Sequence, residues 1–198
     1  MRNPQILVIG FFLVVGCQRS STPSQDSRSP QMPVAASENQ AEFWRRVGDS
    51  LTLERQQVIL QNLLRAADRE GWGGAVRYCH TAAETLTFYR GEKISFQRVA
   101  LRNRNPKNAL VDSLDKATYE EFLRTGSKES VIIPVGAGTY RYYRPIYIPM
   151  EQCLKCHGKK EQLDGQALAE IRKRYPKDKA VDFSLGDLRG MWKAEIRP

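Results

Sequence analysis

The chain has 198 residues and a formal charge of +9, with 41% hydrophobic residues, four cysteines and two histidines. Once a leader is set aside, that length leaves room for one domain. Basic residues do not cluster with stacking aromatics in a recognisable module, which argues against a nucleic-acid partner. The excess charge reads as a solvated surface, with attraction to anionic head groups or an acidic redox partner as the alternative.

Arg2 precedes an apolar run from Ile6 to Val15 that is too short to span a bilayer and suits a secretory leader. The run ends in Val14-Val15-Gly16-Cys17, a pattern resembling a bacterial lipobox. It predicts cleavage after residue 16 and a diacylglycerol thioether on Cys17; an ordinary leader with an incidental cysteine is the alternative. Export puts the protein on the periplasmic side of the membrane, and Gln18 after the cysteine favours the outer membrane. From residue 17 to residue 40 Ser, Pro, Gln and Thr dominate, so this stretch is expected to be a flexible tether reaching roughly 25 Å. Residues 41–198 form the domain.

Ala41 to Arg69 has the spacing of an amphipathic helix, with Val47, Leu51, Val58, Leu63, Leu64 and Ala67 as its apolar stripe. Gly71-Trp72-Gly73-Gly74 interrupts it, and a second helix runs to Thr87. Strands are expected at Phe96–Arg102, Val131–Val135, Tyr140–Ile148 and Met191–Ile196. Helices are expected over Asp112–Arg124 and Gln162–Arg174, and Gly136-Ala137-Gly138 reads as a hairpin loop. The sum is an α+β fold, a small antiparallel sheet flanked by N- and C-terminal helices.

Cys153-Leu154-Lys155-Cys156-His157 is a C-x-x-C-H run, the spacing of covalent c-type haem attachment. Each cysteine can add to a vinyl group, and His157 then stands under the iron as the proximal ligand. Gly158 is expected to leave room for the porphyrin edge. A thioredoxin-like pair lacks its βαβ setting here, and a zinc site lacks a second ligand pair. Export agrees with c-type chemistry, which takes place outside the cytoplasmic membrane.

With Cys17 assigned to lipid and Cys153 and Cys156 to haem, Cys79 has no partner, which is unusual in an oxidising compartment. On a helical wheel it is surrounded by Ala75, Val76, Ala82, Ala83 and Leu86, a face that either admits a flat cofactor or simply buries the thiol. His80 lies at the polar edge near Arg77 and Glu84 and is the alternative second axial ligand. Met150 is badly placed to reach the opposite face, and Met191 fits the core.

Several segments together resemble a mono-haem c-type domain family with a PAS-like fold. They are Gly73-Gly74-Ala75-Val76 leading to Cys79, Arg104-Asn105-Pro106-Lys107-Asn108, Tyr143-Arg144-Pro145-Ile146 and the haem run with Gly158. Tyr175-Pro176-Lys177-Asp178-Lys179-Ala180 and Gly186-Asp187-Leu188-Arg189-Gly190 complete the set. The resemblance spans about Leu60 to the C-terminus. It implies thioethers at Cys153 and Cys156, His157 as proximal ligand and Cys79 as distal ligand, with His80 as the alternative. It also implies that the Arg-Asn-Pro and Gly-Asp-Leu-Arg-Gly segments shape the pocket. Two departures stand out: Asp182 where a glycine is expected, and His80 where a small polar residue is expected.

These features predict a lipid-anchored periplasmic haem protein carrying one covalent haem c. Its expected role is redox sensing, binding of diatomic gases or electron transfer, more an electron carrier or sensor than an enzyme. A thiolate ligand favours ferric iron and a low potential. The chain shows no output module, so a separate redox or signalling protein is the expected partner. A peroxidase- or reductase-like haem enzyme and a haem-free zinc-binding lipoprotein are the alternative classes.

Overall fold

The computed structural model describes residues 34–198, with the side chains of residues 34–37, 83 and 84 excepted. The expected leader, Cys17 and most of the expected tether lie outside the described residues. Helix α1, Val34–Thr87, begins ahead of the expected Ala41. It consists of the two expected helices, which meet at a kink at Gly71, where φ is 71° and ψ −179°. That left-handed backbone favours glycine, and a β-carbon there would also collide with the Gln166 side chain.

Five strands form one antiparallel sheet in the order β1-β2-β5-β4-β3. They are β1 (Phe88–Arg90), β2 (Ile94–Val99), β3 (Val131–Gly136), β4 (Thr139–Tyr147) and β5 (Leu188–Ile196). The expected α+β class therefore holds, and β1 is an edge strand too short to show in the sequence pattern. Gly136, Ala137 and Gly138 all have positive φ and turn β3 into β4, the expected hairpin. Helix α2 (Ser113–Thr125) starts where the Asp112 side chain accepts from the Leu114 and Asp115 amides, and it ends at left-handed Gly126. Helix α4 (Gly165–Arg174) is capped in the same way by Asp164, a little later than the expected Gln162. The one-turn helix α3 (Leu154–His157) lies between β4 and α4.

The sheet is covered on both faces. Phe96, Tyr142, Trp192, Ala194 and Ile196 pack against α1, while Val99, Tyr143 and Met191 pack against Tyr119 and Phe122 of α2. Period-two alternation along β4 and β5 produces this division. Met191 is fully buried in the second cluster, as expected.

The sheet-facing stripe of α1 differs from the expected one. Gly48, Thr52 and Ile59 are buried, whereas Val47, Leu51 and Val58 are only half-buried. Polar sheet residues select this face. The Tyr142 hydroxyl donates to Asp49 at 2.7 Å and lies 3.1 Å from the Thr52 hydroxyl, and the Trp192 indole donates to Gln56 at 3.3 Å. Gly48 permits the approach, since a β-carbon there would lie 2.6 Å from the Tyr142 ring.

Beneath α2, the fully buried Asp115 receives Lys193 Nζ at 2.6 Å and the Tyr143 hydroxyl at 2.8 Å. Asp115→Ala strands the buried ammonium without its partner, so a loss of about 3–5 kcal/mol is expected. The urea midpoint of the full chain measures this, and an unchanged midpoint contradicts it.

Candidate haem-binding cleft

A cleft partly open to solvent lies between α1 and the segment from the end of β4 to His157. Before the bend, α1 contributes Ile59, Leu60, Leu63 and Leu64; beyond it, α1 contributes Trp72, Ala75, Val76 and Cys79. The opposite wall carries Ile148, Cys153, Cys156 and His157. A second, polar hollow shares Cys79, His157, Arg98, Arg104 and Arg189 with the first and adds Asn105, Asn108 and Tyr175. The whole space thus has an apolar body and a basic end.

Local structure explains how each group arrives there. A short 3-10 turn over Glu151–Cys153 runs into α3, and the Gly158 amide closes it on the Leu154 carbonyl at 2.9 Å. Gly158 also has a reason within the protein itself. A β-carbon there would lie 2.7 Å from the Leu154 carbonyl oxygen and 2.8 Å from Gln162 Oε1, so the constraint comes from the protein's own turn. The His157 carbonyl accepts from the Phe183 amide, and the Gly158 carbonyl accepts from the Asp182 amide. Asp182 adopts φ 60°, so the left-handed conformation that explains the expected glycine persists with aspartate in place.

The imidazole of His157 is oriented from behind. Its Nδ1 lies 2.8 Å from the Ala180 carbonyl, which can only accept, so Nδ1 carries the proton and Nε2 is the ring nitrogen left for a ligand role. The Tyr175–Ala180 segment builds this support. Asp178 accepts from the Ala180 amide at 2.8 Å and from Arg104 Nε at 3.2 Å. Arg104 in turn donates to the Cys156 and Ala180 carbonyls, tying α3 to the loop. The Asn105 side chain accepts from the Lys107 amide and holds the turn that presents Arg104.

Burial pushes the Cys156 thiol up to about 12 and raises Cys79 and Cys153 as well, although Arg98 and Arg104 pull Cys79 the other way. Burial, reinforced by Arg104 and Arg189, lowers His157 well below the usual imidazole range, so its ring is neutral near pH 7.

The structure brings together Cys79, Cys153, Cys156 and His157. It does not bring His80 to them: His80 lines neither chamber, its Nδ1 lies 3.2 Å from the Tyr175 hydroxyl, and the two rings meet edge to face. Arg77, expected beside it, pairs with Glu70 and Glu170 instead. Among the described residues no three His, Cys, Asp or Glu side chains converge closely enough to hold a metal ion alone. Of the expected small-residue stripe, Ala75 and Val76 are buried against the cleft, and Leu86 packs on the sheet.

Sequence reasoning assigned no role to Arg98 or to α1 residues 59 and 60. One signal was available for Arg98: in β2, Ile94, Phe96 and Arg98 alternate on the face that covers the core.

The fold is similar to that of the crystal structure of the cyanobacterial haem protein Tll0287, with a TM-score of 0.51 and 22% sequence identity. The match covers 77% of this chain and 94% of that one. No curated protein matches the chain. Residues 25–197 match the Tll0287-like family, and on that coverage the chain belongs to the Tll0287-like family.

Proposed function

We propose that the chain holds one haem c in this cleft and serves as an exported, lipid-anchored redox or gas sensor or electron carrier. The observation that carries the reading is the placement of Cys153, Cys156 and the Nε2-presenting His157 on one wall, with Cys79 among the lining residues of α1. A flat, largely apolar group fits between such walls, and ligands spread over two walls suit it better than a compact zinc site does. The haem protein Tll0287, whose fold this chain shares, is consistent with that choice.

Bound haem supplies a one-electron iron centre. The protein's own groups do the rest. Cys153 and Cys156 would hold the group covalently, each S–H adding across one C=C double bond of the ligand so that no oxidant or reductant is needed. His157, kept neutral and fixed by Ala180, would offer Nε2 to the iron. Cys79 would offer sulfur as the second ligand, with His80 as the alternative. The apolar walls from α1 exclude water and set a low local dielectric. With haem bound, Cys79 would link the iron to α1, which packs against α4, and so would offer a route to a signal.

Two measurements on the full chain, expressed with its leader in a bacterium that matures c-type haem, test the reading. Absorption spectra of the oxidised and reduced protein, with and without carbon monoxide, should show one low-spin haem per chain. Carbon monoxide uptake by the reduced form selects sensing, and its absence selects electron transfer. Mass spectrometry of the mature N-terminus should find diacylated Cys17. Cleavage elsewhere with a free Cys17 overturns the anchor and leaves the cleft argument intact.

A further inference from the structure

We propose that Arg98 and Arg189 form an anion clamp at the basic end of the cleft that receives two carboxylates, those of the propionates, an inference that rests on the haem reading above. Three guanidiniums, from Arg98, Arg104 and Arg189, line both chambers, and no Asp or Glu lines either one. Arg104 is already committed, to Asp178 and to backbone carbonyls. The other two are not. Arg98 makes no hydrogen bond or ion pair among the described residues, and its nearest ring is Trp192, 6.0 Å away. Arg189 is only 8% exposed, donates once, to the Arg102 carbonyl at 3.1 Å, and leaves its Nε buried without a partner.

A buried and a half-buried cation without ion-pair partners are costly unless something completes them. The cost shows in their acidity: burial and then repulsion by Arg98 and Arg104 bring Arg189 down to about 9, and burial also lowers Arg98. Two carboxylates supply the missing charge, and a planar guanidinium matches a carboxylate with paired N–H donors. The body of the ligand is specified separately, by the apolar chamber. The combination asks for a flat apolar molecule with two acidic arms on one edge.

Backbone geometry shows that this placement is built in. The β4–β5 register shifts between Ile146, opposite Gly190, and Tyr147, opposite Leu188, leaving Arg189 as the extra residue. Such a bulge re-aims a side chain. Leu188 and Met191 both pack on the α2 side of the sheet, while Arg189 lines the cleft on the α1 side.

The test uses the haem-loaded full chain and its Arg98→Gln, Arg189→Gln and Arg→Lys variants. Resonance Raman propionate bending bands, which report hydrogen bonding to those carboxylates, should shift in both Gln variants. Each lost charge should also lower the equilibrium constant for reduction roughly tenfold, about 60 mV for one electron. Lysine should restore the potential but not the band position, because it keeps the charge and lacks the paired donors. Unmoved propionate bands and potentials in both Gln variants overturn the clamp. If Arg189→Gln does not fold, Arg98→Gln and Arg98→Lys decide by the same readings. Wild-type protein without haem overturns this inference together with the haem reading, whereas haem with unmoved bands overturns this inference alone.

Discussion

Boiled in denaturant and run on a gel, the full-length protein should keep a haem-peroxidase band at its own mass, and the Cys153→Ala, Cys156→Ala double variant should lose it entirely. The expectation follows from bond type. A thioether survives denaturation and acid-acetone, while a haem held only by axial ligands and packing leaves when the fold does. The structure supports attachment at both positions. Cys153 and Cys156 line the same cleft as His157, and α3 is clamped by Arg104 and by the Phe183 amide. Each single variant should retain a band, because one thioether is enough to hold the group. Extraction of all haem from the wild-type protein by acid-acetone contradicts covalent attachment, while leaving non-covalent haem binding open to the spectra.

Replacing Cys79 by serine should abolish a sulfur-to-iron charge-transfer band of the ferric protein and raise the potential by roughly 0.1 V or more, within the range of about 0.8 V over which axial ligands act. His80→Ala should leave the spectrum nearly unchanged. Cys79 is a lining residue of both chambers, as is His157, whereas His80 lines neither and meets Tyr175. A neutral serine hydroxyl favours Fe(III) less than sulfur does, which sets the sign of the shift. If His80→Ala converts the haem to high spin while Cys79→Ser changes nothing, the distal assignment moves to His80 and simple electron transfer becomes the better function.

Much of the candidate site was legible because its chemistry is local. The C-x-x-C-H run lies within five consecutive residues, a spacing at which one turn of helix presents three side chains together. The start of α2 was legible for the same reason, since Asp112 can reach its own following amides whatever the rest of the chain does. The glycine-rich interruption after residue 70 likewise marked the kink at Gly71 that separates the two helical halves of α1. The choice of Cys79 over His80 combined wheel position with family resemblance, and in the structure Cys79 lines the cleft that His157 also lines.

What the linear order did not carry was pairing between distant segments. The inward face of α1 was misjudged by one residue because its partners are the Tyr142 hydroxyl and Trp192 indole, which attract Asp49, Thr52 and Gln56 to a face that apolar periodicity alone would leave outside. The support for His157 is equally non-local, since it comes from the Ala180 carbonyl and is braced by Asp178 and Arg104. Arg189 is the sharpest case. Strict alternation from Met191 puts it on the α2 side, and only the one-residue slip between β4 and β5 turns it into the cleft beside Arg98. The sequence by itself carried the candidate haem-attachment run and the α+β class, because each depends on residues that meet within a turn or repeat along one element. Only the tertiary structure decided which face of α1 is buried, how His157 is held and where the uncompensated positive charge collects, because those depend on strand register and on groups that become neighbours only when the sheet closes.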